Sequence, residues 1–250
     1  HEVHTLTWQS TQTEKGPYKH FMLKEIHEQP EAVAKTIDGL IGTPQSGASS
    51  DLDGLTAENI KSIDHIQLLA CGTSMHAAMV SRHFFAQLSG LNSAVDQAGE
   101  WRSLQLGKSH STLTVAISQS GETADTLAAI KEAKACGSPV SAIVNVVDSS
   151  IARAADSVPY TRAGPEIGVA STKAFLTQLA ALYLFAIGVG RQRGMPDEKA
   201  HAILMELQKT PRLVEACLHE EEKIKEIAHR FSRAHSSLFL GRGYGYSRTS

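Results

Sequence analysis

Two short stretches of the sequence place hydroxyl side chains and a glycine between a predicted strand and a predicted helix. They are residues 71–74, with the sequence CGTS, and residues 118–123, with the sequence SQSGET. A phosphate monoester fits such a turn, because unpaired backbone N–H groups and the positive end of the helix face the anion. Hydroxyls add hydrogen-bond donors, and glycine lets the backbone approach closely. The two turns therefore predict a phosphate-binding site.

Helix capping is the alternative explanation for both turns. For Thr73 or Ser74 taken alone, a helix N-cap is the better interpretation. The second turn holds three hydroxyls and a glutamine within six residues, which is more than a cap requires, so a ligand site is favoured there. Glu122 is predicted to be a first-turn carboxylate stabilised by the helix dipole, not a catalytic base. Neither turn is a Walker loop, because the Gly-Lys-Ser/Thr signature is absent.

A third polar segment, residues 166–173 with the sequence EIGVASTK, precedes a long apolar stretch. Its simplest interpretation is a loop in which Ser171 or Thr172 caps the following helix. The alternative is a backbone contact from Val169 to a ligand, which spacing alone does not establish.

Strands alternate with helices around these turns. Short apolar runs rich in β-prone residues predict strands, and the longer stretches between them predict helices. Strands are predicted at residues 65–70, 93–96, 113–118, 140–147 and 158–161, and helices at residues 73–88 and 123–136. This alternation predicts an α/β fold: a doubly wound three-layer sandwich with a parallel five-stranded sheet, flanked by N- and C-terminal helices. Ligands of such sheets bind at the carboxyl ends of the strands, where both turns are expected.

The segments on either side of this core have their own patterns. Residues 1–16 are polar and aperiodic and predict a linker. Helices are predicted at residues 17–28 and 30–41, and residues 171–230 are predicted to be mostly helical. Residues 237–240 are apolar and predict a new strand close to the end of the chain.

Composition narrows the class of protein. The chain has 250 residues, of which 42% are hydrophobic, so a sizeable core is expected. A net charge of -2 gives no electrostatic reason to expect nucleic acid or a membrane as partner. The longest apolar run, residues 180–189, is too short to span a membrane. Cys71, Cys136 and Cys217 have neither zinc nor redox spacing. The sequence therefore predicts a cytoplasmic protein without a metal or cofactor.

The motifs, in this order, resemble the sugar isomerase (SIS) domains. They resemble more narrowly the glucosamine-6-phosphate synthases, the isomerizing glutamine–fructose-6-phosphate aminotransferases. The narrow resemblance rests on residues 16–30, 70–74, 117–126 and 164–175. The first of these stretches looks like the linker between the family's glutaminase and isomerase parts, and it is the most specific because plain SIS domains lack it.

The resemblance implies a division of the chain into three parts. Residues 1–16 are expected to be the linker from a glutaminase domain. Residues 17–235 are expected to be the first SIS domain with its flanking helices. Residues 236–250 are expected to be the truncated start of a second SIS domain. The glutaminase cysteine and the isomerase glutamate, lysine and histidine of the family would lie outside this chain, so no catalytic residue is expected in it.

The family's reaction transfers ammonia from glutamine to fructose 6-phosphate and isomerises the product to glucosamine 6-phosphate. The resemblance therefore implies a sugar-phosphate-binding part of that enzyme, itself inactive, which associates as a homodimer. By position, the phosphate contacts fall on Thr73, Ser74, Ser118, Gln119, Ser120 and Thr123, and the sugar contacts on Val169 and Ser171. The alternatives are another SIS-type enzyme, such as a sugar-phosphate deaminase or isomerase, and a non-catalytic module that senses phosphosugars.

Overall fold

The computed structural model describes residues 14–41, 54–104 and 111–248. Most of the predicted linker at residues 1–16 lies outside the described residues, as do the last two residues of the segment 236–250. The division of the chain into three parts stays a prediction.

A parallel sheet of four strands forms the centre of the fold. The strands are β1 (His65–Ala70), β2 (Asn92–Gln97), β3 (Thr112–Ser118) and β4 (Val140–Val144), in the order β2-β1-β3-β4. The central strands β1 and β3 are buried at every position after the first, as expected for strands covered on both faces. The order reverses between β1 and β3, so their carboxyl ends flank the crevice where open sheets bind ligands.

The fifth predicted strand, at residues 158–161, is wrong. Ser157 and Tyr160 form only isolated parallel bridges to β4. Pro159 lies between them and has no N–H group to donate, so a regular ladder cannot continue along this edge. The sheet therefore has four strands, and the segment after it is a bridged edge.

Eleven α-helices accompany the sheet in the described parts of the chain. They are α1 (Phe21–His27), α2 (Gln29–Ile41), α3 (Ala57–Ser62), α4 (Thr73–Leu88), α5 (Ala98–Trp101), α6 (Ala124–Ala135), α7 (Ser150–Ala154), α8 (Lys173–Gln192), α9 (Asp197–Leu207), α10 (Thr210–Leu218) and α11 (Glu221–Phe231). The predicted helices at residues 30–41 and 73–88 are confirmed almost to the residue.

Side chains of each strand point alternately into two hydrophobic cores. Leu68 belongs to the core that packs against α2, α4 and α8, whereas Leu69 belongs to the core against α5, α6 and α7. This alternation is the two-residue period of a strand, and both sets of side chains are buried because helices cover both faces of the sheet. The predicted three-layer α/β sandwich is confirmed.

The long helix α8 is the central element of the larger core. It is long and apolar enough to cross a membrane, but 78% of its most apolar 18-residue window is buried inside the fold. Its buried face contacts α2 and α4, and Phe185 meets Phe85 of α4 edge-on. The helix is therefore explained by packing within the domain.

The C-terminal region is helical as predicted, but the strand predicted at residues 237–240 is wrong. Leu238, Phe239 and Leu240 are 71–85% exposed and form no strand. A strand needs a neighbour to accept and donate its backbone hydrogen bonds, and none of the described strands lies beside this segment. The apolar pattern of residues 237–240 does not reveal whether a neighbouring strand is present.

Candidate functional site

A cavity of about 260 Å³ opens at the carboxyl ends of β1 and β3. All eight residues that the sequence singled out line it: Thr73, Ser74, Ser118, Gln119, Ser120, Thr123, Val169 and Ser171. Cys71, Ile117, Glu166 and Gly168 complete the described lining. Three segments that are far apart in sequence therefore meet at the predicted edge of the sheet.

The turn at residues 118–123 is shaped by its own hydroxyl groups. Ser118 Oγ accepts a hydrogen bond from Gly121 N at 3.0 Å and lies 3.1 Å from Thr123 Oγ1. Ser120 Oγ accepts from Glu122 N at 3.2 Å. Helix α6 begins directly after this turn and has no side-chain cap. The hydroxyls thus fold the turn rather than cap the helix.

These contacts leave hydroxyl hydrogens available for an anion. A serine hydroxyl has one hydrogen to donate and two lone pairs that accept. Because Ser118 Oγ and Ser120 Oγ each accept a backbone N–H, each keeps its hydrogen for a different partner. The first can turn to Thr123 or to a ligand in the cavity. The turn therefore offers hydrogen-bond donors of the kind a phosphate requires.

The turn at residues 71–74 is organised differently. Helix α4 begins at Thr73 with Gly72 as its N-cap residue and no side-chain cap, so capping by Thr73 or Ser74 is wrong. Ser74 Oγ instead accepts a hydrogen bond from Gln178 Nε2 at 3.0 Å. An amide NH₂ group only donates, so the Ser74 hydrogen is directed to another partner.

Gln178 is a contributor that sequence reasoning missed. It lies in α8 and is only 2% exposed, although α8 is otherwise strongly apolar. A buried polar side chain needs a hydrogen-bond partner, and here the partner is a residue of the cavity 104 positions away. The signal in the sequence was a single glutamine within an apolar helical run.

The turn at residues 118–123 is also packed against α7. Gly121 has φ +68°, and a Cβ atom there would lie 2.0 Å from Ser149 Oγ. Glu122 Oε1 accepts from Ser150 N at 2.7 Å, and hydrogen bonding from Ser150 lowers the pKa of the Glu122 carboxyl group below its usual value. Glu122 therefore stabilises the start of α7, which corrects the prediction that it serves the first turn of α6.

Glu166 caps the long helix α8. Its Oε1 accepts from Thr172 N at 2.9 Å and from Ala174 N at 3.1 Å. Thr172 is the N-cap residue, in agreement with one of the two predicted alternatives, but its side chain makes no capping hydrogen bond. Ser171 Oγ donates to Glu166 Oε2 at 3.0 Å, which leaves its lone pairs free to accept a hydroxyl of a ligand. Val169 lies between them with a fully exposed side chain.

Neutral donors dominate the described lining of the cavity. It contains no lysine or arginine, and its one carboxylate, Glu166, is satisfied by two backbone N–H groups and a hydroxyl. Positive potential comes instead from the N-termini of α4 and α6, which begin at this cavity. The arrangement fits a small anion that carries a polar organic group.

A second and larger cavity, of about 370 Å³, lies between α2 and residues 162–165. Its lysines are already paired: Lys173 Nζ lies 2.6 Å from Glu28 Oε2, and Lys35 Nζ lies 2.5 Å from Glu31 Oε1. None of the eight predicted site residues lines it. The smaller cavity therefore remains the candidate site.

Comparison with known proteins gives the same picture. The SIS domain family matches residues 59–188. An isomerizing glutamine–fructose-6-phosphate aminotransferase of Methanosarcina acetivorans is 42% identical over 98% of this chain, and one of Idiomarina loihiensis is 45% identical over 93%. The chain spans about 40% of the length of these relatives, namely 40% and 38%.

A solved structure agrees with the comparison of sequences. The C-terminal domain of a glucosamine-fructose-6-phosphate aminotransferase from Francisella tularensis superposes with a TM-score of 0.88 at 38% identity. The match covers 94% of this chain and 65% of that one. The resemblance found in the sequence is therefore confirmed, and the chain belongs to the SIS domain family.

Proposed function

We propose that this chain is the sugar-phosphate-binding part of an enzyme that converts fructose 6-phosphate and glutamine into glucosamine 6-phosphate and glutamate. The observation that carries the proposal is the convergence of the turns at residues 71–74 and 118–123 on one cavity at the strand ends. Relatives similar over nearly the whole chain are named for that reaction, which supports the choice of substrate.

The phosphate group is proposed to lie between the N-termini of α4 and α6. Thr73, Ser74 and the turn at residues 118–123 surround that space. Backbone N–H groups and hydroxyl hydrogens would share the charge of the anion, and hydrogen bonds to a charged group are stronger than neutral ones. Val169 and Ser171 would then face the sugar, with Ser171 Oγ as an acceptor for a sugar hydroxyl.

We propose that the chain binds the sugar phosphate without converting it. Proton transfer in the isomerisation needs a group that can exchange protons within reach of the sugar. Glu166, the carboxylate in the described lining, already accepts three hydrogen bonds and caps α8. Its structural use argues against a role as general base.

Calorimetry on the purified chain tests the proposal. Fructose 6-phosphate and glucosamine 6-phosphate should bind more tightly than fructose, glucosamine or inorganic phosphate alone, because only they fill both the phosphate and the sugar regions of the cavity. Neither compound should be converted when glutamine or ammonia is added. A preference for the unphosphorylated sugars, or turnover by material free of host enzyme, would refute the proposal.

We further propose that two copies of the chain associate and that the protein is cytoplasmic. Four large apolar side chains of the last two helices are 45–63% exposed: Leu213 of α10, and Ile224, Ile227 and Phe231 of α11. Groups of exposed apolar side chains are typical of association surfaces. Cys71, Cys136 and Cys217 form no disulfide in the structure, which is typical of a reducing compartment. Light scattering should report twice the mass of one chain, and a monomer at all concentrations would contradict the dimer.

A further inference from the structure

We infer that Glu25 of α1 is a positioning residue that sets the place of residues 166–172, the loop that carries Val169 and Ser171. The inference rests on the proposed function, in which this loop faces the sugar. Helix α1, which does not line the cavity, would then contribute to binding of the sugar.

The Glu25 carboxylate is bound directly to the backbone of the loop. Glu25 is 2% exposed, and its Oε1 accepts from Ile167 N at 2.6 Å and from Gly168 N at 3.0 Å. Its Oε2 lies 3.2 Å from Gly168 N. Burying a carboxylate is unfavourable unless strong hydrogen bonds compensate, so these contacts must form whenever α1 is docked.

Gly168 shows how closely the loop approaches α1. A Cβ atom at this position would lie 2.5 Å from Glu25 Oε2 and 3.4 Å from Met22 Cα. A side chain at this position would push the Glu25 carboxylate away from the two N–H groups, so glycine permits the close contact. Gly168 also lines the cavity, so the contact is made next to the ligand space itself.

The same helix holds the far end of the loop. Glu28, the C-cap residue of α1, binds Lys173 at 2.6 Å between Oε2 and Nζ, and Lys173 is 4% exposed at the first position of α8. Val169 and Ser171 lie between the two anchored ends. Glu25 and Glu28 thus fix both ends of the segment from one side.

This arrangement predicts that contacts to the sugar depend on α1 and that contacts to the phosphate do not. The phosphate turns belong to α4 and α6, and they make no contact with Glu25 among the described hydrogen bonds. Loss of the Glu25 contacts should let residues 167–171 move, which weakens contacts to the sugar and spares those to the phosphate. Ligand binding and docking of α1 are then linked, since each stabilises the same loop position.

The test compares Glu25→Gln and Gly168→Ala, which disturb the same contact from its two sides, with Glu31→Gln as the matched control. Glu31 lies on the exposed face of α2 and pairs only with Lys35 in the described structure.

In the ligand-free chain, amide hydrogen exchange of the peptide covering residues 166–172 should become faster in both test variants and stay unchanged in the control. The affinity for fructose 6-phosphate should fall by about tenfold, because the hydrogen bond between Ser171 and a sugar hydroxyl is worth up to about 1.5 kcal/mol and depends on the position of the loop. The affinity for inorganic phosphate should stay within about twofold, the range of distant surface changes.

The outcomes separate the inference from the proposed function. Unchanged exchange in both test variants would overturn the inference whatever the ligands do. An equal loss of affinity for fructose 6-phosphate and for inorganic phosphate would also overturn it, because general damage would explain the result. Faster exchange with no binding of fructose 6-phosphate by the unchanged chain would support the role of Glu25 in placing the loop and would refute the proposed function alone.

Discussion

Replacing Ser118 and Ser120 together by alanine is expected to weaken the binding of fructose 6-phosphate by at least about a hundredfold. Both hydroxyl oxygens accept a backbone N–H, so both hydrogens are available to the phosphate. A hydrogen bond to a charged group contributes roughly 1.5–3 kcal/mol, and about 1.4 kcal/mol is a factor of ten. Calorimetry with the sugar phosphates and with the unphosphorylated sugars measures the effect, which should be confined to the phosphates.

Ser118 and Ser120 differ in the burial of the backbone N–H group that each accepts. Ser118 Oγ accepts from the buried N–H of Gly121, and leaving such a group unpaired costs about 1–3 kcal/mol. The partner of Ser120 is the exposed N–H of Glu122, which water can replace. Ser120→Ala alone is therefore the cleaner change. It should weaken binding by about tenfold with little change in the melting temperature.

A true helix cap elsewhere provides the control. Thr56 Oγ1 accepts from Asn59 N at 3.1 Å and caps α3, which leads into the opposite end of β1 from the cavity. Thr56→Ala should cost about 1 kcal/mol of stability and leave the affinity unchanged. If the serine variants behave in the same way, losing stability but keeping affinity, then the hydroxyls only shape the turn and the phosphate site is wrong.

The parts of this site that the sequence predicted correctly are those that depend on local patterns. Short runs of β-prone residues such as 113–118 predict strands covered on both faces, and in a parallel sheet their carboxyl ends lie at one edge. The sequence therefore placed the turns of Ser118 and Thr73 at the same edge, and the adjacency of β1 and β3 brings them into one cavity. The periodicity of residues 73–88 likewise predicted α4.

The parts that the sequence did not predict depend on partners far along the chain. The local sequence suggests Ser74 as a helix cap, but its hydroxyl instead accepts a hydrogen bond from Gln178, 104 positions later. Glu25 contacts residues 142 and 143 positions away, and no local pattern indicates such a pair. The strand predicted at residues 158–161 failed for a different, local reason: Pro159 has no N–H group to donate to the ladder at this edge.

Gly121→Ala is expected to lower the free energy of unfolding by about 3 kcal/mol, from left-handed backbone strain together with overpacking. The φ of +68° disfavours alanine, and the added methyl group would lie 2.0 Å from Ser149 Oγ and 2.4 Å from Ser149 Cβ. In a domain of this size the melting temperature should fall by about 6–12 °C. Calorimetric melting measures this, and the affinity for fructose 6-phosphate should fall with it because the turn at residues 118–123 must shift.

Two further variants separate the causes of that loss. Gly90 has φ +70° with nothing within 4 Å of an added Cβ, so Gly90→Ala carries the backbone strain without the clash and should cost about 1–2 kcal/mol. Combining Gly121→Ala with Ser149→Gly removes the clashing side chain, and a glycine N-cap on α7 costs only a few tenths of a kcal/mol. The double variant should therefore recover stability to about the level of Gly90→Ala. If Gly121→Ala alone is no worse than Gly90→Ala, contact with α7 does not fix the shape of the turn, and the placement of its hydroxyls must come from the turn's own hydrogen bonds.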